Sequence, residues 1–90
     1  MNAKYLGRRK VKNDFGEVTS TYSPCVLVTM RESELSKFHK MMDWIEHQYV
    51  NYDYDVFQDD DIVSVYVEVS DGADGADFLE SYKEAKRAVH

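Results

Sequence analysis

Valine stands at every second position from Val63 to Val69, with Ser64, Tyr66 and Glu68 between. A period of two predicts a strand, Ile62 to Val69, whose β-branched face packs on a second layer. The pattern recurs upstream, where Val50, Tyr52, Tyr54 and Val56 alternate with Asn51, Asp53 and Asp55. That is a second strand with one polar face. Gln58-Asp59-Asp60-Asp61 separates the two, so an antiparallel hairpin is the economical connection. Cys25 to Met30 reads as a further strand, with Val26, Val28 and Met30 on one side. Pro24 suits its start, because proline cannot donate to a ladder. Before it, the Thr- and Val-rich run Glu17 to Tyr22 and the stretch Tyr5–Lys12 flank Asn13-Asp14-Phe15-Gly16. Those four residues supply turn chemistry, and the whole predicts an N-terminal hairpin.

Two segments switch to helical spacing. Leu35, Phe38, Met42, Ile45 and Tyr49 recur at three- and four-residue steps, Met41 widens the stripe, and Ser33 is a suitable N-cap. Phe78, Tyr82, Ala85 and Val89 form the stripe of a second helix, from about Asp74 or Gly75 to Ala88. Asp74 with Asp77 resembles its N-terminal cap, and Lys83, Lys86 and Arg87 favour the negative end of its dipole. The segment Asp71 to Asp77 is then a loop entering that cap.

The order β-β-α-β-β-α predicts one α+β domain over residues 1–90. Its core is a four-stranded, mainly antiparallel sheet with two helices on one face. A ferredoxin-like arrangement with an altered N-terminus is the rival. At 90 residues the chain is near the lower end for a self-sufficient core, and a deep cofactor cleft is not expected. No run of about 18 apolar residues would span a membrane. The charged first residues lack the apolar stretch of a signal peptide. Cys25 is the single cysteine, so folding does not depend on a disulfide, and a reduced, cytoplasmic setting is the natural expectation.

Charge changes the picture more than composition does. The formal net charge of −6 is unevenly spread. Lys4, Arg8, Arg9, Lys10 and Lys12 occupy the first twelve residues without an acid, whereas Asn51 to Asp71 holds acids and no base. Within that block Asp53, Asp55, Asp59, Asp60 and Asp61 could suggest a cation site. The match to a calcium loop fails, because Phe57 stands where the third ligand belongs and the loop glycine and terminal glutamate are missing. A solvated strand edge, guarded by like charges, accounts for the block without function. As a binding surface, carboxylates at strand spacing could occupy a basic groove built for phosphates.

Other candidates are weaker. Trp44 falls roughly 130° from the centre of the first helix's stripe, beside Lys37, Lys40 and Gln48. It is a candidate interface anchor or a residue packed under a neighbouring loop. His39 and His47 lack metal-pair spacing. A strand cysteine between apolar neighbours is usually inert, and Ser33 is better explained as a cap than as a nucleophile. No phosphate loop, zinc spacing or nucleic-acid motif is present.

These features predict a non-enzymatic protein-binding module, a regulator or inhibitor that mimics nucleic acid. Small acidic domains of this character are common among viral and mobile-element accessory proteins. The expected partner is a protein with a basic surface. It would be met by Asp53, Asp55, Asp59, Asp60 and Asp61, with Trp44, Tyr52 and Tyr54 as anchors. No metal, cofactor or membrane enters this reading. The alternatives are a nucleic-acid binder using the basic hairpin, or a subunit of a homo-oligomer. The spatial relation of the two charged blocks decides between cancellation and a usable surface.

Overall fold

The computed structural model describes residues 1–48 and 50–90; Tyr49, expected on the first helical stripe, lies outside them. The elements are β1 (Asn2–Leu6), β2 (Arg9–Lys12), β3 (Val18–Tyr22), β4 (Cys25–Arg31), α1 (Leu35–Gln48), β5 (Tyr54–Asp59), β6 (Ile62–Glu68) and α2 (Gly72–Ala88). A 3₁₀ turn, Glu32–Glu34, leads into α1. The expected α+β architecture is present. Four strands form one antiparallel sheet in the order β1-β4-β6-β5, and both helices cover one face. β4, α1 and β5 form a β-α-β crossover with β6 inserted between its strands. That split unit is the one a ferredoxin-like sandwich uses, so the rival arrangement survives in part.

The valine alternation accounts for the core. Val26, Val28, Val63, Val65 and Val67 are fully buried against Phe38, Met41, Ile45 and Phe78. Burying a side chain of this size is worth about 1.5–3 kcal/mol, so this layer dominates stability. Tyr82 joins it from α2, but its hydroxyl has no hydrogen-bond partner among the described residues. Burial, then the charge of Glu34, pushes that phenol's pKa up.

The basic N-terminal stretch departs from expectation. It is not one strand from Tyr5 to Lys12. Gly7 and Arg8 break it, and the first part, β1, pairs with β4 at the edge of the main sheet. Tyr5 explains the anchoring, since its ring lies over α2 at Gly75. A Cβ built there would approach the ring to 2.6 Å. Only β2 and β3 form the hairpin, a separate two-stranded ribbon with an irregularity between Val11 and Lys12. Asn13 closes it, its side-chain oxygen accepting from the backbone of Phe15 and Glu17 at 2.9 and 3.0 Å. Every residue of β2 and β3 is exposed. This arm stretches the molecule to 49 × 32 × 16 Å. The radius of gyration is 14.4 Å, against about 12 Å for a compact chain of this length.

Element ends also moved. The second expected strand starts at Tyr54 rather than Val50 and runs on to Asp59, which shrinks the connection to Asp60-Asp61. Asp60 adopts φ +54°, a left-handed conformation that aspartate tolerates better than most residues. Ser33 lies inside the 3₁₀ turn and caps nothing; Glu34 instead accepts from the Arg31 backbone at 3.1 Å. That bond, then the Met1 amino group, holds the Glu34 carboxyl below its usual range. Helix α2 begins at Gly72, two or three residues early. Asp71 is its N-cap, accepting from the Asp74 backbone at 2.8 Å, while Asp74 accepts from Ser70 at 2.8 Å. Asp71 and Asp74 have the same three-residue spacing as Asp74 and Asp77, so the sequence offered two equivalent caps.

Candidate docking surface on the open sheet face

Strand alternation sends every second side chain of the sheet away from the helices. With Val26, Val28, Val63, Val65 and Val67 inward, the cross-strand register sets the outward rows. Asp53, Glu68, Cys25 and Leu6 form one. Asp55, Tyr66, Leu27 and Lys4 form the next, then Phe57, Ser64, Thr29 and Asn2. Asp59, Ile62 and Arg31 close the sheet. Asp53 precedes β5, but its carbonyl accepts from the Glu68 backbone at 2.9 Å and so extends the ladder. Among the described residues, no helix covers this face.

The rows put acids beside aromatic surface. Phe57 is 60% exposed and meets Tyr66 edge to face, with ring centroids 5.6 Å apart. Asp53, Asp55 and Glu68 lie to one side of Phe57 and, with that pair, line a hollow of about 970 Å³. The hollow's opposite wall is the root of the arm, formed by Arg9, Tyr22, Ser23 and Pro24. The Arg9 guanidinium stacks on Tyr22, 5.3 Å from its centroid.

The two charged blocks therefore neighbour each other at one point. Arg9 shares the hollow with Asp53, Asp55 and Glu68. Lys4 is on the same face but three strands from Asp55, about 14 Å away, beyond the screening length of about 8 Å. Lys10 and Lys12 stand out on the arm. Cancellation is partial, and the face keeps a net negative charge.

The expected anchors do not all join this surface. Asp53, Asp55 and Asp59 do. Asp60 lies in the hairpin turn, and Asp61 pairs with Arg31 at 2.9 Å. Tyr52 and Tyr54 point to the helix side. Tyr52 packs edge-on to Phe78 at 5.0 Å, and Tyr54 edge-on to Phe38 at 5.6 Å, with its hydroxyl 3.2 Å from His39 Nδ1. Burial pushes both phenol pKa values up, assisted by Asp74 and Asp77 for Tyr52 and by Asp43 and Glu46 for Tyr54. Trp44 is half-buried and packs against the core. Because α1 packs on both the sheet and α2, its apolar arc is wider than the single stripe suggested.

Phe57, Tyr66 and Tyr22 were not singled out for this surface, and Arg9 and Glu68 were read only as members of the basic and acidic blocks. Phe57 carries a signal, since it continues the Asp53-Asp55 alternation and places an aromatic on a polar face. Nothing local links Arg9 and Tyr22 to Asp55; that proximity comes from the β1-β4 pairing.

Cys25 is buried at the floor of the hollow, and burial pushes its thiol pKa up, partly offset by Arg9. His39 and His47 sit on α1 across the sheet, where His47 Nδ1 lies 2.7 Å from the Asp43 carbonyl. Cys25 and these histidines do not meet. Among the described residues, no three His, Cys, Asp or Glu side chains are grouped to hold a metal ion. None of the helices described is long and apolar enough to cross a membrane. No protein-family model, curated protein or solved structure matches the chain, so its own residues carry the functional reading.

Proposed function

We infer that this is a non-enzymatic protein-binding module, a regulator or inhibitor that presents its open sheet face to a basic partner in the cytoplasm. One observation carries the reading: Asp53, Asp55 and Glu68 line one hollow with the exposed Phe57 and the half-buried Tyr66 on an uncovered sheet face. Exposed aromatic surface supplies contact area, and the acids supply steering and orientation. A partner whose groove normally receives phosphates offers both the positive charge and the width. Carboxylates at strand spacing would then stand where phosphates stand.

Calorimetric titration with a basic partner domain tests this at low and high salt. Asp53→Asn with Asp55→Asn should weaken binding more than tenfold and flatten its salt dependence, at about 1.4 kcal/mol per tenfold. Asp60→Asn should change it little. Equal affinity in all three proteins would end the proposal. The arm favours a second reading. A two-stranded ribbon bearing Arg9, Lys10 and Lys12 is a shape that can enter a nucleic-acid groove. Anisotropy titration with duplex DNA and RNA at low salt separates the readings.

A further inference from the structure

The arm and the open face are complementary, yet within one chain they touch only at the arm's root. The arm exposes Val11 by 45% and Phe15 by 87%, with Val18 and Tyr22 also open. Its shank carries Arg9, Lys10 and Lys12, and its acids, Asp14 and Glu17, are confined to the turn. A two-stranded ribbon with nothing beneath it is marginal in water. The open face carries exposed Phe57 and Ile62 among Asp53, Asp55, Asp59 and Glu68. Apolar surface and charge of the opposite sign thus recur on two patches of one molecule.

We propose that the occupant of the open face is the arm of a second copy of this chain, in a reciprocal two-fold pair. The proposal rests on the reading of the open face as the docking surface, and deepens it by naming what docks there. Lengths are compatible: the four residues of β2 span about 13 Å before the turn, within the about 23 Å of the seven-residue β6. The hollow between the Tyr22–Pro24 wall and the Phe57–Tyr66 pair is the seat for the incoming ribbon. Side chains alternate along β2, so Lys10 and Lys12 face the partner's acids from one side of the ribbon while Arg9 and Val11 leave the other, and Phe15 at the turn covers the partner's Phe57 and Ile62. In a two-fold pair each contact occurs twice, which doubles the area that one arm covers. A basic partner would then have to displace the arm, so self-association competes with docking.

Light scattering after size exclusion, from low micromolar to near-millimolar protein, tests the pair. The intact chain should show twice the monomer mass at low salt and dissociate as salt rises. Lys10→Glu with Lys12→Glu, and separately Asp53→Lys with Asp55→Lys, should each weaken self-association more than about tenfold. An equimolar mixture of the two variants should restore the dimer, because each arm again meets an opposite charge. All these positions are exposed, and circular dichroism should show both variants folded. A monomer at every concentration overturns the proposal, as does a dimer that persists in both variants or a mixture that stays monomeric. Titration with an oligo-arginine peptide separates this failure from that of the docking face. A monomer that binds the peptide through Asp53 and Asp55 overturns only the pairing, and one that ignores it overturns both.

Discussion

The β5–β6 hairpin and the β2–β3 arm look alike along the chain. Each is a pair of antiparallel runs around a turn rich in Asp or Asn, and each has β-branched residues in alternation. In space they differ completely. β6 buries Val63, Val65 and Val67 under two helices, whereas every residue of β2 and β3 is exposed. Alternation specifies that a segment can be a strand, but a second layer decides whether it becomes part of a core. The helix stripes of α1 and α2 match the face made by β4 and β6, and no helix remains for the arm.

The largest test of this contrast is truncation of one valine in each hairpin. Val65→Ala should cost about 2–3 kcal/mol, the transfer energy of a buried side chain plus an unfilled cavity. Val11→Ala should stay within about 0.5 kcal/mol, as exposed substitutions do. Urea denaturation of both variants checks this, and comparable losses would mean that the arm belongs to the cooperative core. Amide exchange should agree, with β6 protected to the global stability and the arm exchanging far faster.

A smaller effect is expected where strand β1 meets helix α2. Gly75→Ala would ordinarily favour the α2 helix by about 1 kcal/mol. Here the added methyl would fall 2.6 Å from the Tyr5 ring, so the ring or strand β1 must shift. Overpacking of this kind costs about 1–3 kcal/mol, leaving a net loss of about 1 kcal/mol. In a Tyr5→Leu background the same substitution should become neutral or stabilising. Thermal melts of the four proteins in that cycle measure the coupling, and additive effects would show that the ring does not anchor β1 on α2.

How much of this was legible in the sequence follows from the same contrast. Val63 to Val69 and the stripe Phe38, Met42, Ile45 fixed strand, helix and buried face together, because their periods are strong and their partners lie within one layer. The break at Gly7-Arg8 was not legible, since Tyr5 is held by Gly75, seventy positions away. Asp53 and Asp55 were readable as one polar face, and Tyr52 and Tyr54 as the other. That same alternation argues against grouping all four in one surface, because β-strand neighbours point to opposite sides. Trp44 escaped because a single-stripe wheel ignores the second helix that α1 packs against.

The smallest expected effect separates the tip of the β5–β6 hairpin from its shank. Arg31 and Asp61 lie 2.9 Å apart, but their side chains are 70% and 60% exposed. Water and salt screen such a pair, and holding two side chains in place costs entropy, so its net worth is at most about 0.5 kcal/mol. Asp61→Asn should leave the denaturation midpoint almost unmoved. It should also leave binding of a basic probe nearly unchanged, because Arg31 already offsets that carboxylate. Among the described residues Asp55 makes no ion pair, although Arg9 shares its hollow and Lys4 stands three strands away in its row, so Asp55→Asn should weaken the same binding clearly. If the two substitutions weaken it equally, the attraction comes from net charge alone. The arrangement of acids around Phe57 and Tyr66 then has no part in it.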